Sequence, residues 1–297
     1  MIDFINDKLL EIFEDFKQNI KNEECICNLK DLNFQGEHLP DYEDILIQQF
    51  YLLRYLSGYF AEYVSIYREI IRQNFLIDKF KVLSIGCGCG LDLWGLKHAC
   101  NERFSENYIK LYNGIDVVDW EYKEKFEKEV NVNYFLKNIK DFEKISYQGY
   151  NTIIFPKSIG EFTEDEFEHI KNLMINTDFN SDELVLIGSL RKMRQECDIK
   201  RLEEIKNIFT DYHGFEIRKR INSKEMIENE RVSYIVPGAQ CTDEVIDYLT
   251  HLYKYCKSFK KNSKPCDTSC FDLLQKYPIC SMSQATYDIL YLEREMQ

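Results

Sequence analysis

Apolar positions recur at helix spacing through the first 75 residues of the chain. From Asp3 to Lys21 they lie three or four residues apart, which predicts an amphipathic helix. A second stretch, about 42–74, predicts a longer helix. It carries a tyrosine at every fourth position from 51 to 67: Tyr51, Tyr55, Tyr59, Tyr63 and Tyr67. On a helix these side chains form one slowly winding ridge. The ridge is typical of a buried helix packed against the next domain, or of a lid that faces a ligand pocket.

From Phe80 the apolar positions form short runs instead. Strands are predicted at 81–85, 112–115, 132–136, 151–155 and 184–187, and helices at 91–99, 121–129, 164–176 and 197–212. Thr163 and Glu166 form a capping box for one of these helices. Strands that alternate with helices predict a doubly wound, mostly parallel α/β sheet. Two late strands, 215–221 and 232–236, leave no room for a helix between them, which predicts an antiparallel hairpin. After Pro237 and Gly238 the pattern is helical again.

Three regions follow from this pattern. They are a helical accessory segment or lid at 1–78, a Rossmann-like domain at 79–238, and a helical segment rich in cysteine and lysine at 239–297. A chain of 297 residues is long enough to bury a substantial core.

Composition restricts the classes of partner. The formal charge of −13 repels phosphate backbones at long range and disfavours non-specific nucleic-acid binding. Apolar runs fall short of the roughly 18 residues that a membrane span needs, so we expect no membrane partner. The N-terminus is acidic, unlike a secretory signal, and the 11 cysteines then suggest a reducing, cytoplasmic location.

The segment VLSIGCGCGLDLWGL (82–96) places Gly86, Gly88 and Gly90 between a predicted strand and a predicted helix. Glycines at this point let the backbone turn sharply and let a ligand approach closely. A dinucleotide site needs a third small residue where this chain has Leu91, and no phosphate-loop lysine follows. Downstream, the second strand ends in Asp116, whose carboxylate can accept hydrogen bonds from the two hydroxyls of a ribose. Together these features predict a nucleoside-binding half.

From about 79 to 238 the chain resembles the class I S-adenosylmethionine-dependent methyltransferases. The resemblance rests on the glycine loop, Asp116, a polar residue after the third strand (Asn138), the fourth-strand exit NTIIFPKSIGEF and the antiparallel ending. It implies a seven-stranded Rossmann-like sheet that binds S-adenosylmethionine. The family usually has an acidic residue where this chain has Ser84, and Asp where it has Asn138. The predicted cofactor-binding residues are Ser84, Gly86, Cys87, Gly88, Gly90, Asp92, Asp116, Val117, Asn138, Ile139 and Pro156.

By that resemblance the glycine loop faces the methionine part of the cofactor, Asp116 the ribose, and Asn138 with Ile139 the adenine. Asp92 is a candidate partner for the methionine ammonium group. Pro156 and the residues after it would line the methyl-transfer face.

Methyl transfer needs a general base only for a weak acceptor. The predicted catalytic candidates are Lys157, Ser158 and Glu161 at the fourth-strand exit, and Tyr59 on the tyrosine helix. Glu161 is equally well explained as a solvated residue near a helix start. The chain has no Ser-His-Asp set or HExxH motif, which fits transfer of an already activated methyl group.

The C-terminal cysteines suggest a metal site. Cys256, Cys266, Cys270 and Cys280 could hold zinc or an iron–sulfur centre, although separate thiols explain them as well. A looser similarity links the chain to methyltransferase-like proteins of the small ribosomal subunit, in which four cysteines hold such a centre.

The methyl acceptor is left open between a small molecule and RNA. The acidic composition favours the former, and the lysine-rich tail (254–264) and basic residues at 191–194 and 218–220 favour the latter. A non-catalytic binding or assembly protein, or another transferase that consumes S-adenosylmethionine, remains an alternative, and the sequence says nothing about oligomeric state.

Overall fold

The computed structural model describes residues 1–30, 32, 40–75, 79–104, 108–124, 126, 131–191, 194–222, 235–239, 241–262, 270, 274, 277–279 and 286–294. In chain order the helices are α1 (Ile2–Asn22), α2 (Ile45–Gln73), α3 (Leu91–Arg103), α4 (Glu164–Ile175), α5 (Gln195–His213), α6 (Asp243–Thr250) and α7 (Lys257–Asn262). The strands are β1 (Phe80–Ile85), β2 (Ile109–Asp116), β3 (Asn131–Leu136), β4 (Thr152–Pro156), β5 (Glu183–Ser189), β6 (Phe215–Asn222) and β7 (Tyr287–Arg294). None of the described helices combines the length and apolar character needed to cross a membrane.

The chain divides into two compact units. The first consists of 1–61, 120–122 and 233–282, and the second of 62–119, 123–232 and 283–297. The division therefore falls inside α2, rather than at the boundary after residue 78 that the sequence pattern predicts.

The first unit is built on the apolar face of α1. The buried positions of this helix follow the predicted period: Ile5, Leu9, Ile12, Phe13, Phe16 and Ile20. Phe13 meets the edge of Tyr248 at 5.3 Å between ring centroids, and Phe16 stacks on Phe50 at 6.2 Å. Helices from both ends of the chain thus share one core in this unit.

The tyrosines of α2 are mostly buried packing residues. In the first unit Tyr55 and Tyr59 stack at 5.1 Å, and Tyr51 contacts Trp120 at 5.6 Å. In the second unit Tyr67 is fully buried with its ring edge-on to Phe80. Within each unit the ridge fits the packing interpretation.

The second unit contains the predicted Rossmann-like sheet. Its seven strands lie in the order β3-β2-β1-β4-β5-β7-β6, with β1 to β5 parallel. The central strands carry few polar residues because helices cover both faces of such a sheet. The predicted capping box at the start of α4 is present, with Thr163 and Glu166 satisfying each other's backbone N–H groups. The expected seven-stranded α/β fold is confirmed.

The antiparallel ending has a different partner from the one predicted. The strand β6 pairs with β7, which lies between β5 and β6 and runs antiparallel to both. Residues 232–234 lie outside the described residues, and Ile235 and Val236 are not in a strand. The segment that forms β7 was expected to be helical. It is a strand because its side chains from Tyr287 to Leu292 are all buried, as a strand covered on both faces requires.

The predicted helix at 121–129 is also wrong where the structure describes it. Residues 121–122 form a turn, 123–124 have no regular secondary structure, and Phe126 has a left-handed backbone with φ of 47°. Contacts within the first unit override the helical pattern: Tyr122 donates a hydrogen bond to Asp15, and the Glu121 N–H donates to Gln48. Residues 125 and 127–130 lie outside the described residues.

Candidate functional site

The glycine loop follows β1 at the carboxyl edge of the sheet. Gly86 and Gly90 have φ of 71° and 87°, values that side-chain-bearing residues rarely adopt. A Cβ at Gly86 would overlap the Ser158 side chain, and one at Gly90 would overlap the Tyr134 hydroxyl group. The backbone N–H of Gly86 donates to the carbonyl of Ile115 at 2.8 Å, which ties the loop to β2. The side chains of Ser158 and Tyr134 thus leave no room for a Cβ at Gly86 and Gly90, which explains the glycine at both positions.

Asp116 meets this loop directly. Its Oδ2 accepts a hydrogen bond from the Gly88 N–H at 2.7 Å, and its Oδ1 accepts one from the Val118 N–H at 2.9 Å. Two backbone donors fix the carboxylate at the end of β2. The loop and the acidic residue that the sequence singled out thus border one crevice.

A narrow cleft with about 160 Å³ of empty volume lies beside Asp116. It is lined by Cys87, Gly114, Asp116, Val118, Lys123, Tyr134, Phe135 and Leu136. That volume includes space open to solvent, and the cleft itself encloses almost none, whereas small-molecule sites usually enclose about 300–1,000 Å³, so the cleft alone does not enclose a nucleoside. Large apolar side chains nevertheless stay exposed around it: 60% of Val117, 38% of Phe135 and 51% of Leu136. An exposed apolar surface next to a fixed carboxylate offers contacts for a flat base and for a sugar.

The residues after β3 already make hydrogen bonds and packing contacts within the protein. The Asn138 side chain accepts a hydrogen bond from the Lys140 N–H and donates one to Glu166 of α4, both at 2.9 Å. Ile139 is buried. Asn138 and Ile139, which are predicted to contact adenine, therefore already make contacts within the protein.

Asp92 lies beneath the loop, in the first turn of α3. It has no exposed surface and accepts a hydrogen bond from the Tyr112 hydroxyl group at 2.9 Å. Burial raises the pKa of Asp92 to about 6, and this effect outweighs the hydrogen bond from Tyr112, which lowers it. Ser84 is also fully buried. A ligand from solvent reaches neither side chain in this arrangement.

The fourth-strand exit is held by buried polar contacts. Pro156 ends β4, and Lys157 has a left-handed backbone with φ of 62°. The Lys157 ammonium group donates to Glu62 Oε1 at 2.9 Å, and Glu62, fully buried, also accepts from the Ser189 hydroxyl group at 2.5 Å. The Ser158 hydroxyl group donates to the Ile85 carbonyl at 2.5 Å. Lys157 and Ser158 therefore stabilise the turn itself in this structure.

Glu161 is the predicted catalytic candidate with an unusual environment. Its side chain keeps 28% exposure and lies 3.6 Å from the guanidinium group of Arg191, which Asp198 holds at 3.0 Å. Burial raises the pKa of Glu161 to about 8; Arg191 opposes the shift, whereas Asp198 and Asp116 add to it. Glu161 follows the end of β4 and Asp116 ends β2, so both residues lie at the carboxyl edge of the parallel strands. A carboxyl group that titrates near 8 can exchange protons close to neutral pH.

Tyr59 belongs to the first unit. It is buried there against Tyr55. Its catalytic role stays a prediction.

Of the cysteines predicted to bind metal, Cys266 and Cys280 lie outside the described residues. Cys256 and Cys270 are both buried. In the part of the chain that the structure describes, no three His, Cys, Asp or Glu side chains already stand in the arrangement of a metal centre.

Several residues of this region were not singled out from the sequence. Tyr134 and Leu136 line the cleft, and the available signal was the alternation along NVNYFL, which gives alternate residues of β3 a common face. Glu62 was detectable as a lone acidic residue within the apolar stretch YFAEYVSIY. The Arg191–Asp198 pair depends on the packing of α5 against the sheet, which the sequence pattern does not specify.

The crevice and the strand order define a Rossmann-like fold of the kind that the resemblance to class I methyltransferases implies. No protein-family model matches the chain, and no curated protein matches it. Among solved structures it is similar to the plantazolicin methyltransferase BamL, in complex with a triazolic desmethylPZN analog and SAH, at 14% identity over 95% of this chain and 100% of that one, with a TM-score of 0.43. It is also similar to magnesium protoporphyrin IX methyltransferase from Synechocystis PCC 6803 with bound SAH, at 13% identity over 79% and 83%, with a TM-score of 0.38.

A TehB-like SAM-dependent methyltransferase from Corynebacterium glutamicum is similar at 11% identity over 77% of this chain and 88% of that one, with a TM-score of 0.38. At such low identities and TM-scores, the substrates of these proteins say nothing about the substrate of this chain.

Proposed function

We propose that this protein is an S-adenosylmethionine-dependent methyltransferase that binds its cofactor at the carboxyl edge of β1 and β2. The observation that carries the proposal is the hydrogen bond from Gly88 to Asp116, which puts the glycine loop and the acidic residue on one crevice. A carboxylate has about four acceptor positions, so a ribose with two vicinal hydroxyl groups suits its chemistry. The exposed apolar side chains of Val117 and Leu136 extend the surface beyond the small cleft and offer contacts for adenine.

S-adenosylmethionine supplies an activated methyl group on a sulfonium. The chain then has to orient the acceptor and exclude water, which accounts for much of the acceleration in such reactions. Where the acceptor must lose a proton, Glu161 is the candidate to take it, because its pKa of about 8 suits proton exchange near neutral pH. Lys157 and Ser158 would position the turn that carries this edge of the site.

A small molecule is the acceptor that we favour over RNA. Three of the basic residues that suggested RNA binding are paired with acidic ones: Arg191 with Asp198, Arg218 with Glu293, and Arg220 with both Asp288 and Glu203. Pairing reduces the positive potential that a phosphate backbone would need.

Calorimetry with S-adenosylmethionine and S-adenosylhomocysteine tests the proposal. We expect Asp116→Ala to weaken both ligands by about 100-fold, because each hydrogen bond to a charged group is worth about 1.5–3 kcal/mol. Asp116→Asn keeps one acceptor oxygen and should fall between. Asp211→Ala, at an exposed position near the end of α5, is the control and should bind as the unaltered protein does. Equal affinity of all four proteins would show that Asp116 does not hold the ribose.

The small volume of the cleft favours one alternative, a non-catalytic protein that uses the same sheet for binding or assembly. If neither ligand binds more tightly than about 1 mM, near −4 kcal/mol, the enzyme proposal fails and this alternative gains. If both bind, the mass of the modified acceptor separates methyl transfer from transfer of the aminocarboxypropyl group.

A further inference from the structure

Two cysteines near the N-terminus have their thiol groups in contact. The Sγ atoms of Cys25 and Cys27 lie 3.0 Å apart, and both side chains are exposed. This distance exceeds the roughly 2.05 Å of a disulfide bond, so the pair is a dithiol in which one thiol donates a hydrogen bond to the other. Neither residue lines the cleft beside Asp116, and the proposed methyl transfer uses neither of them.

The backbone around Ile26 brings the two thiols to one side. Ile26 lies between them with φ of −107° and ψ of 28°, a bent conformation, and its side chain is 1% exposed. Because Ile26 is anchored in the core, the cysteines on either side of it face solvent. A bend of this kind keeps Cα atoms that are two residues apart within the roughly 4.4–6.8 Å that a disulfide spans. The segment can therefore form a disulfide bond without unfolding.

Hydrogen bonds fix the backbone on both sides of the pair. Before it, the carbonyl of Glu24 accepts from the N–H and from the hydroxyl group of Ser258, at 3.3 and 3.2 Å. After it, the carbonyl of Cys27 accepts from the Lys30 N–H at 3.0 Å and closes a single turn of 3-10 helix. The closeness of the two thiols therefore follows from backbone positions that other residues hold in place.

We propose that Cys25 and Cys27 form a reversible disulfide by exchange with a low-molecular-weight disulfide such as oxidised glutathione. The thiolate of one cysteine attacks a sulfur of oxidised glutathione, which forms a mixed disulfide and releases one glutathione thiolate. The thiolate of the other cysteine then attacks the protein sulfur of the mixed disulfide and releases the second glutathione. The two cysteines lose two electrons and two protons, which leave with the two glutathione molecules as thiols.

The second step should be fast because the two sulfurs are already close. They need to approach by only about 1 Å from their separation of 3.0 Å to reach bonding distance. A tethered group acts at an effective concentration in the millimolar range, without having to be delivered from solution. The mixed disulfide is therefore expected to be short-lived in the unaltered protein.

The position of the pair also favours reversal of the bond. A disulfide across one intervening residue closes a very short loop, so it gains little stability from the entropy of the unfolded chain. Exposed disulfides are moreover the ones that other thiols reduce readily. Such a bond would form and break in a reducing compartment, as redox-sensing disulfides of intracellular proteins do.

Peptide mapping of the full chain after treatment with oxidised glutathione tests the proposal. The remaining thiols are alkylated, and trypsin, which cleaves after Lys21 and Lys30, releases a peptide of residues 22–30 that contains these two cysteines and no others. We expect this peptide to lack two hydrogen atoms and to carry neither glutathione nor an alkyl group. When excess glutathione thiol is added before alkylation, both cysteines should become alkylated.

Two single variants and one control separate the steps. Cys25→Ser and Cys27→Ser cannot close the bond, so each should keep a glutathione on its remaining cysteine. Cys197→Ser removes an exposed cysteine of α5 and should form the internal disulfide as the unaltered protein does. All three positions are exposed, so serine should leave the fold intact, which circular dichroism checks.

Three results would overturn the proposal. The first is a peptide of residues 22–30 that keeps both thiols at equilibrium with oxidised glutathione. The second is a lasting glutathione adduct on the unaltered protein, which would show that the two sulfurs do not reach each other. The third is a disulfide from Cys25 or Cys27 to another part of the chain, which would show that the pairing is wrong.

Discussion

Replacing Asp92 with asparagine should stabilise the protein above neutral pH. Burial of this carboxyl group raises its pKa to about 6, against 3.8 for the same group in water. Between these two values the folded protein keeps a proton that the unfolded chain has released, so the contribution of Asp92 to stability falls as the pH rises. The difference between these two pKa values corresponds to about 3 kcal/mol.

Asparagine has nearly the same shape as aspartate and can still accept the hydrogen bond from Tyr112, but it carries no charge. Urea unfolding of both proteins at pH 5 and pH 8 measures the difference. About half of the penalty is already present at pH 5, so we expect the advantage of Asp92→Asn to grow by roughly 1 kcal/mol between the two pH values.

Asp165→Asn provides the matched control. It lies in the first turn of α4, as Asp92 lies in the first turn of α3, but 88% of its side chain is exposed. Its stability difference from the unaltered protein should stay nearly constant with pH. If Asp92→Asn behaves in the same way, Asp92 titrates normally, and the description of a sealed carboxyl group beneath the glycine loop is wrong.

Two further predictions concern the second unit. Gly95→Ala should lower the free energy of unfolding by about 1–3 kcal/mol, because the new Cβ would lie 2.5 Å from the Cβ of Tyr63 where α2 crosses α3. This loss should exceed the gain of about 1 kcal/mol that alanine brings as the better helix former. Urea unfolding measures the difference, and a more stable variant would show that the two helices can move apart at this crossing. Carbon-13 NMR of carboxyl-labelled protein should show one glutamate resonance that titrates with a midpoint of about 8 and disappears in Glu161→Gln; a midpoint near 4.5 would show that burial does not raise the pKa of Glu161, and the reason for preferring it as the base would be lost.

The sequence predicts the centre of the fold better than its edges. The strands β1, β2, β4 and β5 were found because buried parallel strands read as apolar runs, and the glycines after β1 marked the loop. The contact between Gly88 and Asp116 followed from adjacent strand ends. In contrast, the charge-rich stretch at 121–129 has a helical pattern, but contacts of Glu121 and Tyr122 decide the conformation of its first residues.

Long-range partners explain the remaining differences. The sequence of β7 is an apolar run that fits a helix or a strand, and only its pairing with β5 and β6 decides between them. For the same reason the buried environment of Glu161 was not visible, since Arg191 and Asp198 approach it from other elements.

The long stretch of sequence between β5 and its partner β7 has a consequence for folding during synthesis. Ser189 at the end of β5 pairs with Tyr287, which is 98 positions further along the chain (287 − 189). A ribosome adding about 5–20 residues per second needs roughly 5–20 seconds to cover that distance. During this interval a nascent sheet exposes the unpaired backbone edge of β5, and β6 has no strand to join. Such edges readily pair with other chains. Rapid translation of the stretch between β6 and β7 would shorten the period in which the newborn protein can aggregate.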